Sequence, residues 1–217
     1  MTQTALLMGG TGLVGQSLLG LLVDDDRWDS IVVVSRRALR STSDKEVEVI
    51  SGPGQLESVA DQLAVDTVFC CLGTTMKHAG SRENFRRIDY DYVLESARVA
   101  HLQGATRFIV VTALDARLRS PSFYMRVKAE TERDLTAIGF DALDIVRPSL
   151  IQGERDERRP VEEWSERILN PLSGLMIGPL RRYRPIPASQ IAKAMAAIAR
   201  IPGRAVTAYD SDRLLPF

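Results

Sequence analysis

Tyr124 and Lys128 stand four residues apart in a stretch with helical periodicity, so both side chains fall on one helical face. A phenol beside an ammonium suits proton transfer, because the positive charge favours phenolate and lowers the tyrosine pKa. Thr112 ends the strand that precedes this helix, where its hydroxyl is placed to polarise a carbonyl. A Tyr-x-x-x-Lys pair alone is common on helices that do no chemistry. Two further groups of residues give this one a context. Gly9, Gly12 and Gly15 form a G-x-x-G-x-x-G turn between the apolar run Ala5-Leu6-Leu7-Met8 and an amphipathic stretch. Glycines let the backbone turn tightly and approach a pyrophosphate, whose charge then rests on free N–H groups at the helix start.

The second group is Ser35-Arg36-Arg37, at the end of the next apolar run. In dinucleotide-binding sheets the end of the second strand faces the adenine ribose, and an acidic residue there favours NAD by bonding both ribose hydroxyls. That run carries no carboxylate at its end. Two guanidinium groups and a hydroxyl suit a 2′-phosphate through forked, charge-assisted hydrogen bonds. The expected cofactor is therefore NADP(H) rather than NAD(H). The plainer alternative is that Arg36 and Arg37 are solvated loop charges in a chain that is 26% charged.

The elements that must position these groups alternate between two hydrophobic periods. Strands are expected at residues 2–8, 31–34, 47–50, 66–72, 107–111 and 143–146, with a last edge strand at 205–208. Helices are expected at 13–24, 55–63, 83–103, 122–138 and 189–200, with Gly104 and Gly139 ending the third and fourth. Strands alternating with helices of this length mean βαβ units, hence an α/β, doubly wound, Rossmann-type parallel sheet.

Composition limits the rest. The 217 residues are 45% hydrophobic, which suits one NAD(P)-binding domain over residues 1–217 with a sizeable core. Lys and Arg total 28 and so do Asp and Glu, which argues neither for nucleic acid nor for an acidic membrane surface, and neither is expected as a partner. No apolar run approaches the roughly 20 residues of a membrane span, and no basic segment followed by an apolar core opens the chain. Asp24-Asp25-Asp26 opposes the helix dipole and reads as a solvated helix end. The two cysteines, Cys70 and Cys71, are neighbours in an apolar run, poorly placed to bridge and without metal-ligand partners. His78 and His101 stand alone, so no metal site is expected. A reduced, cytoplasmic setting and a monomer or homodimer are expected.

Taken together, these motifs resemble the short-chain dehydrogenase/reductase superfamily. The likeness is greatest to its atypical NAD(P)-binding branch, which includes the Tat-interacting protein TIP30-like oxidoreductases and nucleoside-diphosphate-sugar epimerase-like proteins. It rests on Gly9-Gly10-Thr11-Gly12-Leu13-Val14-Gly15, Ser35-Arg36-Arg37, Cys71-Leu72-Gly73-Thr74-Thr75, Val111-Thr112-Ala113-Leu114, Tyr124-Met125-Arg126-Val127-Lys128 and Arg147-Pro148-Ser149-Leu150-Ile151. The resemblance implies that Gly9, Thr11, Gly12, Leu13 and Val14 line the pyrophosphate, and that Arg36 and Arg37 meet the 2′-phosphate. It places Cys71, Leu72, Gly73 and Thr74 beside the adenine and its ribose linkage, and Pro148, Ser149 and Ile151 against the nicotinamide. Thr112 would orient a carbonyl, Tyr124 pass the proton, and Lys128 tune Tyr124 and grip the ribose. One departure stands out: Thr112-Ala113 replaces the two hydroxyl residues of many relatives, so the third catalytic member is either Thr112 or missing.

Residues 152–188 are expected to form a substrate-side insertion. Gly153-Glu154-Arg155-Asp156-Glu157-Arg158-Arg159-Pro160 reads as a solvated loop or as a lid over an anionic substrate. Residues 161–169 look helical, with Trp164 and Ile168 on one face, and 172–180 form a short apolar segment. Arg181-Arg182-Tyr183-Arg184 is too short a basic run to argue for nucleic acid on a neutral chain. Two functional classes follow: an NADPH-dependent reductase of a small carbonyl compound, and a non-catalytic NADP(H)-binding sensor or scaffold. A third, an epimerase working through a keto sugar, needs a larger sugar-nucleotide domain than this C-terminal segment offers.

Overall fold

Strand β1 (Gln3–Met8) ends in four apolar residues, and its period of two sends Ala5 and Leu7 into one core and Leu6 and Met8 into another. A strand apolar on both faces belongs inside a sheet covered on both sides. This is a computed structural model that describes residues 3–39, 41, 43–153, 178–203 and 205–217. The remaining strands are β2 (Trp28–Ser35), β3 (Glu46–Ile50), β4 (Thr67–Cys70), β5 (Arg107–Val111), β6 (Ala142–Arg147), β7 (Ile151–Gln152), β8 (Ile186–Pro187) and β9 (Val206–Asp210). Seven of them form one all-parallel sheet in the order β3-β2-β1-β4-β5-β6-β9. The doubly wound Rossmann-type sheet expected from the sequence is the one found, and its order reverses between β1 and β4.

Helices cover both faces. Leu18 and Leu22 of α1 (Leu13–Val23) share a buried core with Ile191, Met195 and Ile198 of a C-terminal helix, Ala188–Ile198. On the other face, Leu94, Ala97 and Ala100 pack with Leu135 of the helix Phe123–Thr136. Arg107, at the start of β5, ties the sheet to the C-terminal helix. Its guanidinium pairs with Asp144 at 2.7 Å and donates to the carbonyls of Ile198 and Ile201, each at 2.7 Å, which satisfies groups that helix ends leave open.

The single helix expected at 83–103 is interrupted. After α2 (Met76–Ala79), α3 (Arg82–Arg86) passes into a π-helical turn, Arg87–Asp91, before α4 (Tyr92–Leu102). A wide turn adds one residue to the helical register and re-aims the side chains within it. Here it buries Asp89 completely. The helix after β5, α5 (Phe123–Thr136), starts at Ser122, whose hydroxyl accepts from Met125 N at 3.5 Å, and the C-terminal helix is α6 (Ala188–Ile198). Strand β4 is shorter than expected, so Cys71 and Leu72 leave the sheet at its carboxyl edge. β7 and β8, two residues each and not anticipated, pair in parallel: Ile151 with Ile186 and Gln152 with Pro187. The expected charged run from residue 154, the helix at 161–169 with Trp164 and Ile168, and residues 172–177 of the apolar segment lie outside the described residues.

Candidate active site at the carboxyl edge of the sheet

Gly9 turns the chain out of β1 with φ +82°, and a Cβ there would lie 2.8 Å from the carbonyl of Cys71. Gly15, in the first turn of α1, packs so closely on this turn that a Cβ would stand 2.1 Å from the Gly9 oxygen. Gly12 donates to the Gly9 carbonyl at 3.0 Å and caps α1 with no side-chain acceptor, so the N–H groups that open the helix are free for a ligand. An open helix start, a backbone too close for side chains and the positive end of a helix dipole fit the pyrophosphate of a dinucleotide.

The cradle opens into two adjoining cavities, of about 190 and 290 Å³, that share Gly12 and the loop Cys71-Leu72-Gly73-Thr74. Gly9, Thr11, Ser35 and Arg36 line the first, with Pro53, Ile88 and Tyr92 across from them. Leu13, Val14, Thr112, Tyr124, Lys128, Pro148, Ser149 and Ile151 line the second. Folding thus brings together nearly all the expected site residues. Two stand apart. Gly15 is packed behind the turn, and Arg37 is exposed and outside both cavity walls.

At the β2 end, the Ser35 hydroxyl donates to the carbonyl of Arg37, which leaves Arg36 as the cation on the first cavity. Glu48 reaches across from β3, its carboxylate 3.4 Å from the Ser35 hydroxyl and accepting from Leu39 N. β2 itself ends without a carboxylate, as its sequence shows, but the neighbouring strand supplies one behind Ser35. A linear reading of β2 could not locate it.

In the second cavity, Lys128 Nζ lies 6.0 Å from the centre of the Tyr124 ring, and that ring packs 5.2 Å from the ring of Phe85. The ammonium is buried and pairs with the buried carboxylate of Asp89 at 2.7 Å. Burial is the largest single influence on Lys128 and opposes its charge, but Asp89, joined by Tyr124 and Cys70, holds the lysine above its usual pKa. Asp89 Oδ2 also accepts from Thr74 N at 2.8 Å, and the pair sits directly behind Gly73, where a Cβ would come within 3.4 Å of Asp89 Oδ1.

Thr112 points elsewhere than expected. Its hydroxyl donates to Glu132 Oε1 at 2.6 Å, and Glu132 holds Arg147 through bonds of 3.0 and 2.6 Å. Ala113 offers no second hydroxyl, and Tyr124 and Lys128 line the same cavity wall as Thr112. Ser149 is also engaged: its hydroxyl donates to the Arg184 carbonyl and accepts from Ser211 at 3.1 Å. Burial pushes the Cys70 thiol up to about 12 and Cys71 well above its usual range, so neither is a thiolate nucleophile near neutrality.

Sequence reasoning missed Asp89 and Glu132. A signal for both was present. Asp89 sits four residues after Phe85 and four before Val93, within the buried stripe of its helix. Glu132 extends the Tyr124–Lys128 spacing by another four residues. An acid on an apolar stripe needs a partner.

A family model, HIM1, matches residues 22–176. The chain belongs to the HIM1 family. Protein FMP52, mitochondrial, of Meyerozyma guilliermondii is 36% identical over 154 residues, covering 70% of this chain and 66% of that protein. The FMP52 protein of Candida albicans is 32% identical, over 88% of this chain and 85% of its own length. Protein HTATIP2 of Rattus norvegicus is 30% identical, over 76% of this chain and 69% of its own. Among solved structures, MoeE5 in complex with UDP-glucose and NAD superposes with TM-score 0.68 at 18% identity, over 95% of this chain and 76% of that one. A short-chain dehydrogenase/reductase family oxidoreductase from Burkholderia thailandensis gives TM-score 0.69 at 16% identity, over 99% and 93%. This HIM1-family chain therefore carries the Rossmann-type fold that the motif resemblance implied. The cytoplasmic setting expected from the sequence does not stand, because the fungal FMP52 relatives are named as mitochondrial proteins. Zero net charge and unpaired cysteines suit more than one reducing compartment, so composition could not have decided it.

Proposed function

We propose that this chain is an NADPH-dependent oxidoreductase that reduces a small carbonyl compound, with Tyr124 as the proton donor. What supports the assignment is one juxtaposition: Tyr124 and Lys128 open into a cavity that shares Gly12 and the loop Cys71–Thr74 with the glycine cradle. Gly9, Thr11, Gly12, Leu13 and Val14 would hold the pyrophosphate, Arg36 the 2′-phosphate, Lys128 the nicotinamide ribose, and Pro148, Ser149 and Ile151 the nicotinamide face. Bound NADPH supplies the hydride. Tyr124 gives its phenolic proton to the carbonyl oxygen as charge develops there, and the nearby ammonium of Lys128 stabilises the phenolate left behind. With the Thr112 proton directed at Glu132, polarising the carbonyl falls to Tyr124.

That same engagement of Thr112, together with Ala113, favours the second reading, a protein that binds NADP(H) without turnover. Loss of NADPH fluorescence with a panel of aldehydes, ketones and quinones separates the two. For the enzyme, at least one compound is reduced, and Tyr124→Phe lowers the rate by about 100-fold or more while NADPH affinity is kept. Tight NADPH binding with no turnover across the panel assigns the sensor instead.

A further inference from the structure

Asp89 is the least expected residue of the site. Its side chain is 0% exposed, that of Lys128 is 5% exposed, and their charged atoms lie 2.7 Å apart. Its second oxygen reaches Thr74 N in the loop shared by both cavities, and its main-chain carbonyl accepts from the Thr131 hydroxyl of α5 at 3.0 Å. The π-helical turn is thereby stapled both to the helix that carries Tyr124 and Lys128 and to the cofactor-side loop. Stability alone is a poor reason for such a pair, since apolar replacements of buried ion pairs are often neutral or stabilising.

We propose that Asp89 is a positioning residue that keeps Lys128 charged in the interior and limits its field on Tyr124, so that the buried pair sets the alkaline limit of turnover. The turnover part rests on the oxidoreductase proposed above; the charge on Lys128 does not. Other groups near the pair do not substitute for Asp89. Cys70, facing it from β4, keeps its proton because burial pushes the thiol up to about 12. Glu132, one turn along α5, is committed to Thr112 and Arg147. Tyr124 packs on Phe85 in a small cluster that also holds Met76, Tyr90, Phe123 and Val127; Tyr90 donates its hydroxyl to Asp134, and the guanidinium groups of Arg82 and Arg126 lie 5.2 and 6.0 Å over the Phe123 ring. Asp89 is therefore the counter-charge to Lys128 among the described residues. Removing its charge acts in one direction by two routes. An uncompensated ammonium draws the proton off Tyr124 sooner, and an unpaired buried ammonium gives up its own proton sooner. The first change ends proton donation by Tyr124 at a lower pH, and the second removes at a lower pH the charge that stabilises the phenolate, so both bring the alkaline limb down.

The test uses the whole chain, whose four lysines, Lys45, Lys77, Lys128 and Lys193, make nitrogen-15 lysine NMR tractable. In the wild type, the Lys128 ammonium is expected to keep its proton to a higher pH than the other three. If it loses its proton before them, the proposal is overturned without any variant. Asp89→Asn, which keeps an acceptor for Thr74 N, is expected to lower the alkaline limb of carbonyl reduction by about one pH unit. A purely structural role would reduce the rate and leave the limb where it was, which also overturns the proposal. If no carbonyl compound is reduced, the oxidoreductase assignment fails on its own, and the NMR titration of wild type and Asp89→Asn still decides whether Asp89 holds the charge on Lys128.

Discussion

The hydroxyl of Thr112 and the carboxylate of Glu132 are joined by a 2.6 Å hydrogen bond in which Thr112 is the donor. Glu132 takes two further bonds from Arg147, so Thr112 belongs to a buried polar network running from β5 through α5 to β6.

A donor already committed to Glu132 contributes little to a substrate carbonyl. Thr112→Val should lower kcat/KM by less than about tenfold, against the hundredfold or greater loss for Tyr124→Phe. A loss as large as that of Tyr124→Phe would mean that Thr112 turns to the substrate. Glu132→Ala should instead destabilise the fold by about 2 kcal/mol in urea unfolding, because it leaves Arg147 and Thr112 without their partner.

Arg36 is the arginine of its pair that lines the first cavity, whereas Arg37 lies outside it. Arg36→Ala should weaken NADPH binding about tenfold and change NADH affinity by less than about twofold, the value of one charge-assisted contact to a 2′-phosphate. Arg37→Ala should change neither. Calorimetric titration with both cofactors checks this, and equal affinities in the wild type would remove the claimed selectivity.

Two glycines of α1 should respond in opposite directions. At Gly15 a Cβ would meet the Gly9 oxygen at 2.1 Å, a backbone contact that no rotamer relieves. Gly15→Ala should abolish nucleotide binding and lower stability by about 3 kcal/mol. At Gly20 an added Cβ would meet nothing within 4 Å, so Gly20→Ala should stabilise the helix by about 0.5–1 kcal/mol. Melting temperatures of the two variants decide it.

Acid should weaken the fold in part through Asp25. The hydrogen-bonded guanidinium of Arg27, helped by Arg200 from the end of α6, lowers its pKa from 3.8 to about 2. A carboxylate depressed in the folded state contributes stability above its unfolded pKa and loses it as pH falls from about 4 towards 2. The urea midpoint should therefore drop over that window, and Asp25→Asn should flatten the drop while lowering stability near neutrality.

Much of this molecule was legible in local pattern. The apolar alternation of Ala5–Met8, the β-branched run Ile31–Val34 and the glycine spacing state which backbone can be buried, extended or turned, and these depend on near neighbours alone. The parallel sheet and the places of its seven strands along the chain followed from them, as did the Tyr124–Lys128 face. Partnership across the chain was not legible. Asp89 and Lys128 are 39 residues apart in sequence, and it took a π-helical turn in one helix and the packing of another to bring them within 2.7 Å. Glu48 reaches Ser35 only because β3 lies in register beside β2, and Glu132 captures Thr112 only because α5 crosses the end of β5. Periodicity reports which face is dry. Which charge answers another inside that dry space is set by tertiary packing, because a buried polar group must find its partner wherever the fold brings one within reach.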